Sequence, residues 1–154
     1  GTGFWQIAQE SDTHSLHIGI QRNSNTLKLF DTAHQYGMKY MLAEELFFEN
    51  LPKIYTIINT FIEQSDVIYL TICMDVFNVA IAPGVSALAY NGIFADAPFM
   101  HLLKLILGSE KLVAMDVAEI NPTYDLHETT ARLAASLVNE WMMLIINSTS
   151  YPLK

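Results

Sequence analysis

Short runs rich in apolar and β-branched residues alternate along the chain with longer segments whose apolar residues recur at helical spacing. Runs of four to eight such residues are typical of strands, and a period of 3.6 residues is typical of helices that cover a core. The predicted strands are Leu16–Ile20, Lys39–Leu42, Val67–Cys73 and Leu112–Val117. This alternation predicts an α/β fold of three layers, α/β/α, with a mainly parallel sheet.

Helical periods fill most of the segments between and after these strands. The predicted helices run from Leu27 to Gly37, through residues 43–63, from Phe99 to Gly108, and onward from near Thr129. Glycine is a common helix terminator, and Pro52 predicts that a new helix starts inside the second segment. In the last helix a stripe of large apolar residues, Trp141 among them, is expected to face the core.

The run Val67–Cys73 gives the clearest strand pattern. It is apolar on both faces apart from Thr71, which is typical of a central parallel strand that helices cover on both sides. A long irregular connection from Asp75 to Gly92 follows it. We therefore expect this strand at the centre of the sheet.

Composition and charge limit the classes of partner. The chain has 154 residues, of which 51% are hydrophobic, enough for one domain over residues 1–154 with a substantial core. Eight Lys and Arg residues stand against 16 Asp and Glu residues, so the net charge of −8 provides no basic surface for nucleic acids or anionic membranes. We expect neither as a partner.

Cysteine content and the most apolar stretch indicate the compartment. Cys73 is the single cysteine, so no internal disulfide is possible, and no charged segment followed by an apolar one opens the chain. Asp75, Asn78 and Pro83 interrupt the apolar stretch 67–90, which therefore lacks the roughly 20 apolar residues of a membrane span. A reducing, cytoplasmic location is expected.

Acidic residues follow two of the predicted strands. One strand ends at Cys73-Met74-Asp75 and leads to the loop Ala82-Pro83-Gly84-Val85-Ser86, and the other leads to the segment 116–122, which contains Glu119. In open α/β sheets, ligands bind beyond the carboxyl ends of the strands. The carboxylates of Asp75 and Glu119 are therefore expected to point into one crevice.

These segments resemble the ureohydrolases, the arginase and agmatinase superfamily. In that pattern a strand ends in Asp-x-Asp and Pro-Gly follows eight residues later, as Pro83-Gly84 follows Asp75 here. The resemblance implies that the two aspartate positions bind a pair of Mn²⁺ ions. In this sequence Asp75 holds the second position and Cys73 the first. Glu119 is similar to the family's substrate carboxylate, which pairs with an amidine or guanidine group.

Three further segments are most similar to formimidoylglutamases within that superfamily. They are 17–26, which contains Arg22, Ser24 and Asn25, the loop 82–87, and the segment 130–135. The resemblance runs from Gly1 to about Met142. It implies a hydrolase that converts N-formimidoyl-L-glutamate and water to L-glutamate and formamide in histidine degradation, with two Mn²⁺ ions.

Two family features do not occur in the sequence: an upstream metal-binding histidine and an Asp-Ala-His-x-Asp segment. Asp75 would then be the one unaltered ligand of six, and a thiol in place of a bridging carboxylate suits a softer ion than Mn²⁺. The resemblance therefore implies the C-terminal half of an arginase-like domain, with an incomplete sheet and no activity of its own. Its expected partner is a second copy or an N-terminal half.

Each candidate site residue has a structural alternative. Cys73 is either a small buried side chain or a metal contact, and Glu119 either binds substrate or hydrogen-bonds its own loop. Arg22 with Asn25 either clamps the substrate's glutamate carboxylates or forms a solvated turn. For Arg132 we expect an ion pair on its helix rather than substrate contact.

Two other functions remain as alternatives. A catalytically inactive remnant would act only as a binding or oligomerisation partner, as the missing ligands and Cys73 suggest. An arginase or agmatinase relative is the other, and Arg22, Ser24 and Asn25 argue against it.

Overall fold

Helices and strands alternate throughout the part of the chain that the computed structural model describes, the backbone of residues 2–150 and the side chains of residues 3–146. The elements are α1 (Thr2–Glu10), β1 (Leu16–Ile20), α2 (Leu27–Gln35), β2 (Lys39–Leu42), α3 (Leu51–Gln64), β3 (Ile68–Cys73), α4 (Ala97–Leu107), β4 (Leu112–Ala118) and α5 (Thr129–Ser150). The α/β class is therefore confirmed, and all four predicted strands lie within a residue of their expected bounds.

The strands form two parallel pairs. β1 pairs with β2, and β3 pairs with β4. The register of the second pair runs from Ile68 opposite Leu112 to Cys73 opposite Ala118. Parallel neighbours have their carboxyl ends on the same edge, so the segments that follow β3 and β4 start side by side.

Local sequence signals account for several helix ends. Pro52 lies in the first turn of α3, as predicted, where its missing N–H costs no hydrogen bond. Asp96 caps α4 by accepting a hydrogen bond from the Phe99 N–H, and Gly108 ends that helix. The expected helix over residues 43–50 is wrong, since two short 3₁₀ turns replace it.

Two apolar clusters stabilise the fold. In one, Ile54 and Ile58 of α3 pack with Met41 of β2 and Leu102 of α4. In the other, β3 and β4 pack against α4 and α5, and the partly buried Trp141 contacts this cluster as predicted. Because α4 contributes to both clusters, it joins the two strand pairs.

The expected central position of β3 is wrong for the described part of the chain. Its Tyr69 side chain is 61% exposed, and β3 is hydrogen-bonded to β4 alone. Alternate residues such as Ile68 and Ile72 face the core, whereas Tyr69 lies on the opposite, more exposed face. Apolar composition alone did not distinguish a strand covered on two faces from one covered on a single face.

The helix α1 was not predicted. Its apolar residues Phe4, Trp5 and Ile7 are 40–47% exposed. Among the helices that the structure describes, none has both the length and the apolar character that crossing a membrane requires.

Candidate functional site

The pairing of Cys73 with Ala118 brings three predicted site residues together. Cys73 is the last residue of β3, and Asp75 follows in a short 3₁₀ turn, Met74–Val76. Glu119 comes directly after Ala118 at the end of β4. The Cys73 and Asp75 side chains are half-buried, and Glu119 is exposed. The strand ends therefore bring Asp75 and Glu119 to the same edge of the strand pair, and the expected crevice there stays a prediction.

Burial and negative charge both act on the acidic groups at this edge. The pKa of Asp75 is raised above its usual range, first by burial and then by the charge of Glu119. The pKa of the Cys73 thiol is raised to about 11, first by burial and then by the charges of Asp75, Glu119 and Asp116. Cys73 therefore remains a neutral thiol at pH 7.

Glu119 adopts an unusual backbone conformation. Its φ angle is 68°, in the left-handed region that is unfavourable for residues with a Cβ atom. Such conformations persist only where the surroundings hold them, and they are frequent at functional sites. The nearest restraint is Asn121, whose backbone N–H donates to the Gly84 carbonyl at 2.7 Å and whose side-chain Nδ2 lies 3.2 Å from Ser86 Oγ.

The end of β1 contacts the turn that contains Asp75. Gln21 Nε2 donates to the Asp75 backbone carbonyl at 3.3 Å. Gly19, with φ of +87°, packs so closely that a Cβ atom there would lie 2.5 Å from Val76 Cγ2. The segment after β1 is thus anchored beside the strand ends of the other pair.

Arg22 and Asn25 lie in the turn that follows this anchor. The Arg22 guanidinium donates to Glu44 Oε1 from Nη2 at 2.7 Å and from Nε at 3.1 Å, and its hydrogen bond with Glu44 raises its pKa. The side chains of Arg22 and Glu44 are largely exposed. Asn25 Nδ2 donates to the Gln21 carbonyl at 2.8 Å. Their role as a substrate clamp remains a prediction.

Arg132 forms the helix ion pair that its sequence position predicts. Its Nη2 lies 3.1 Å from Glu128 Oε2, four residues earlier, and both side chains are about three-quarters exposed. The expected helix ion pair of Arg132 is therefore present.

Sequence reasoning included Asp116 in the strand-end segment 116–122 but missed Tyr69 as its partner. The Tyr69 hydroxyl donates to Asp116 Oδ2 at 2.6 Å, and this hydrogen bond raises the Tyr69 pKa. Asp116 is opposite Thr71 in the register, so it shares a face of the strand pair with Tyr69 and Cys73. The available signal was the alternation of Tyr69, Thr71 and Cys73 along β3 and the lone polar residue Asp116 in β4, which became informative only with the register.

Asp125 and Thr130 were also missed. The Asp125 carboxylate accepts the backbone N–H groups of Thr130 and Ala131 at 2.8 and 2.9 Å, and thus caps α5. Burial alone would raise the Asp125 pKa, but hydrogen bonds from the Thr130 and Ala131 N–H groups and from the Thr130 hydroxyl lower it on balance. An aspartate shortly before a helical period is a recognisable cap signal.

The described residues do not fit the Mn²⁺ pair that the ureohydrolase resemblance implies. Among the side chains of residues 3–146, no three His, Cys, Asp or Glu residues are arranged to hold a metal ion. Metals bind the thiolate of cysteine, and the raised pKa of Cys73 opposes that form. Asp75 and Cys73 alone supply too few hard ligands for Mn²⁺.

Comparison with known proteins identifies a curated relative that matches most of the chain. Formimidoylglutamase of Staphylococcus aureus strain MSSA476 is 43% identical over 143 residues, which are 92% of this chain and 46% of that protein. The chain spans about half the length of the curated relatives it matches.

Solved structures show the same fold. Formimidoylglutamase of Bacillus subtilis superposes with a TM-score of 0.84 at 22% identity, over 92% of this chain and 45% of that one. Formiminoglutamase of Trypanosoma cruzi, in a crystal structure with Mn²⁺, gives a TM-score of 0.77 at 17% identity, over 94% and 50%. A model of the arginase family matches residues 1–144, so this chain belongs to the arginase family.

Proposed function

We propose that this chain is a formimidoylglutamase-type member of the arginase family in which Glu119 binds the amidine group of N-formimidoyl-L-glutamate. One observation carries the proposal. The pairing of Cys73 with Ala118 places Glu119 close enough to Asp75 for its charge to raise the Asp75 pKa. The residues that resemble the family's substrate carboxylate and a metal-ligand position are therefore neighbours.

The chemistry of the edge suits a cationic amidine. An amidinium group is planar and presents parallel N–H donors, which a carboxylate accepts in pairs. Glu119 is exposed and therefore accessible, and Asp75 and Asp116 add negative charge beside it. A cation bound here would relieve the repulsion between Asp75 and Glu119.

Arg22 and Asn25 are proposed to hold the glutamate end of the substrate. Arg22 has one carboxylate partner, Glu44, in an exposed ion pair that a substrate carboxylate can replace at small cost. The Gln21–Asp75 hydrogen bond fixes the start of this turn beside the strand ends. In this proposal one ligand contacts both Glu119 and Arg22.

Hydrolysis is assigned to the family and not to the described residues alone. The resemblance implies two Mn²⁺ ions, with Asp75 and the substituted Cys73 at ligand positions, and ions of this kind generate hydroxide from bound water near neutral pH. Because the described residues do not fit the metal pair, the role proposed for this chain by itself is substrate binding without turnover. We propose a cytoplasmic location.

Titration of the purified chain with N-formimidoyl-L-glutamate, followed by amide NMR, tests this role. We expect shifts at Glu119 and Arg22 and about tenfold weaker binding in Glu119→Gln, which keeps the shape and removes the charge. Agmatine and arginine should bind less tightly than N-formimidoyl-L-glutamate. Unchanged affinity in Glu119→Gln, or a preference for agmatine, contradicts the proposal.

A formamide assay with added Mn²⁺ tests the second part. We expect no formamide from the purified chain and no stoichiometric uptake of two Mn²⁺ ions, because most of the ligand set is absent from the described residues. Turnover, or two ions per chain, would show that the metal site forms without further residues.

A second candidate function is association with another polypeptide. A parallel strand pair is usually covered on both faces, yet Tyr69 and Val113 of β3 and β4 are each 61% exposed. We expect sedimentation velocity to show concentration-dependent self-association, or binding to an intact formimidoylglutamase subunit. A strictly monomeric chain that binds no such subunit contradicts this function.

A further inference from the structure

Thr130 lies at a buried junction between two loops. It is 0% exposed and is the fully buried polar residue among the side chains of residues 3–146. Its Oγ1 accepts the backbone N–H of Gly84 at 2.7 Å, across 46 residues of sequence. The same hydroxyl hydrogen-bonds the Asp125 carboxylate. A hydroxyl can donate and accept at once, and an apolar side chain of the same shape can do neither.

Gly84 transmits this restraint to the loop that follows β4. Its N–H is held by Thr130, and its carbonyl accepts the Asn121 N–H at 2.7 Å. A Cβ atom at Gly84 would lie 2.4 Å from Asp125 Cβ, so only glycine allows this approach. Both backbone hydrogen-bonding groups of Gly84 are therefore used to tie Asn121 to the start of α5.

Glu119 lies two residues before Asn121, so the hydrogen bond between Asn121 and Gly84 restrains the backbone that follows Glu119. Its left-handed backbone, with φ of 68°, is unfavourable unless both flanks are fixed. β4 fixes the preceding residue, Ala118, through its pairing with Cys73. The Asn121–Gly84–Thr130 chain of hydrogen bonds fixes the following side.

We infer that Thr130 is a positioning residue for Glu119: its hydroxyl, acting through Gly84 and Asn121, holds the Glu119 backbone in the conformation that directs the carboxylate toward the Asp75 edge. Thr130 itself touches no substrate. The consequence for ligand binding rests on the proposed function, whereas the consequence for the Glu119 backbone does not.

Three matched variants test this inference. Thr130→Val removes the hydroxyl and keeps the shape, and Thr130→Ser keeps the hydroxyl. Thr129→Val makes the same chemical change at the exposed neighbour, whose hydroxyl donates to the Leu126 carbonyl at 2.7 Å. The readouts are the three-bond NMR couplings that report φ of Glu119, exchange of the Gly84 amide, and binding of formamidinium chloride.

We expect Thr130→Val to lose the positive-φ couplings at Glu119, to exchange the Gly84 amide about tenfold faster and to bind formamidinium about tenfold more weakly. Thr130→Ser and Thr129→Val should match the unmodified chain in all three. If the Thr130 hydroxyl contributes to stability alone, Thr130→Val should have a lower melting temperature and unchanged Glu119 couplings.

The inference is overturned if Thr130→Val keeps the Glu119 couplings, or if Thr130→Ser loses them. If Thr130→Val does not fold, two other measurements test the inference. One is the Glu119 couplings of Thr130→Ser. The other is the NMR scalar coupling across the hydrogen bond from the Asn121 N–H to the Gly84 carbonyl in the unmodified chain. Absence of that coupling overturns the inference. An unmodified chain that binds no formamidinium contradicts the proposed function, and the Glu119 couplings still decide the role of Thr130.

Discussion

The side chain of Gln21 and the backbone of Asp75 are joined by a hydrogen bond of 3.3 Å, which links the end of one strand pair to the end of the other. The two pairs are not hydrogen-bonded to each other as a sheet. Contacts at this joint therefore determine where Arg22 and Asn25 lie relative to Asp75 and Glu119.

Gly19→Ala should destabilise the fold by about 2 kcal/mol or more, since it adds left-handed strain and an overlap with Val76. Urea unfolding measures the change. Gly37→Ala is the matched control, because Gly37 also has a positive φ, +64°, but has open space where a Cβ would lie. Gly37→Ala should cost only about 1 kcal/mol. Equal losses in the two variants would show that the Val76 contact is unimportant.

Asp75→Asn should stabilise the chain at pH 7. The folded-state pKa of Asp75 is raised, by burial and then by Glu119, so the folded protein holds this proton at pH values where the unfolded chain has lost it. The free energy of unfolding therefore falls as pH rises from the usual aspartate pKa through the raised one. We expect a gain of roughly 0.5 kcal/mol at pH 7, a small value because water screens the half-exposed group.

The effect of Asp75→Asn should vanish near pH 3, where the side chain is protonated in both states. Glu119→Gln should also stabilise, and the double variant should gain less than the sum, because one repulsion is removed twice. Urea unfolding of the four chains at both pH values completes the test. Additive gains would mean that the two carboxylates do not interact.

Alkylation of Cys73 should be slow in the folded chain. With a pKa of about 11 in place of 9.0, the thiolate fraction at pH 8 is about 100-fold lower than in the unfolded chain. Iodoacetamide labelling followed by mass spectrometry, with and without urea, measures the ratio. Asp75→Asn should speed the folded-state reaction by removing one of the charges that raise the pKa. A rate equal to that in urea would place the thiol in open solvent.

The same pKa shift predicts a loss of stability in alkali. The folded thiol keeps its proton after the unfolded thiol has released it, so the contribution of Cys73 is fully present below pH 9 and is lost between about pH 9 and 11. Cys73→Ser should show a shallower decline in urea midpoint over that window. An identical decline in both chains would assign the alkaline transition to other groups.

Arg22→Ala should weaken binding of N-formimidoyl-L-glutamate about tenfold and leave the urea midpoint unchanged, since exposed ion pairs contribute little to stability. Glu44→Gln should preserve or improve affinity, because it releases Arg22 from its partner. Arg132→Ala, another exposed arginine with one carboxylate partner, is the control and should bind normally. Calorimetric titration measures the affinities. Equal affinities of Arg22→Ala and Arg132→Ala for N-formimidoyl-L-glutamate would contradict the proposed role of Arg22.

The bounds of most strands and helices were predictable because they depend on residues close together in the sequence. Strand bounds at Leu16, Ile20 and Leu42 follow from a few neighbouring residues, and Gly108 and Pro52 mark helix ends through their own backbone chemistry. The unpredicted helix α1 and the segment 43–50 were exceptions. The apolar spacing of the segment 43–50 suited a helix, but its residues pack as separate turns.

The sequence by itself determined the four strands, most of the helices and the family motifs, since these depend on local pattern. It also placed Cys73, Asp75 and Glu119 at or just after strand ends. Only the tertiary structure decided that Tyr69 faces outward, that Glu119 adopts a left-handed backbone and that Thr130 holds Gly84. Those features arise from contacts between segments far apart in the chain. Burial, pKa shifts and strained backbone depend on what packs against a residue, and no local pattern encodes that.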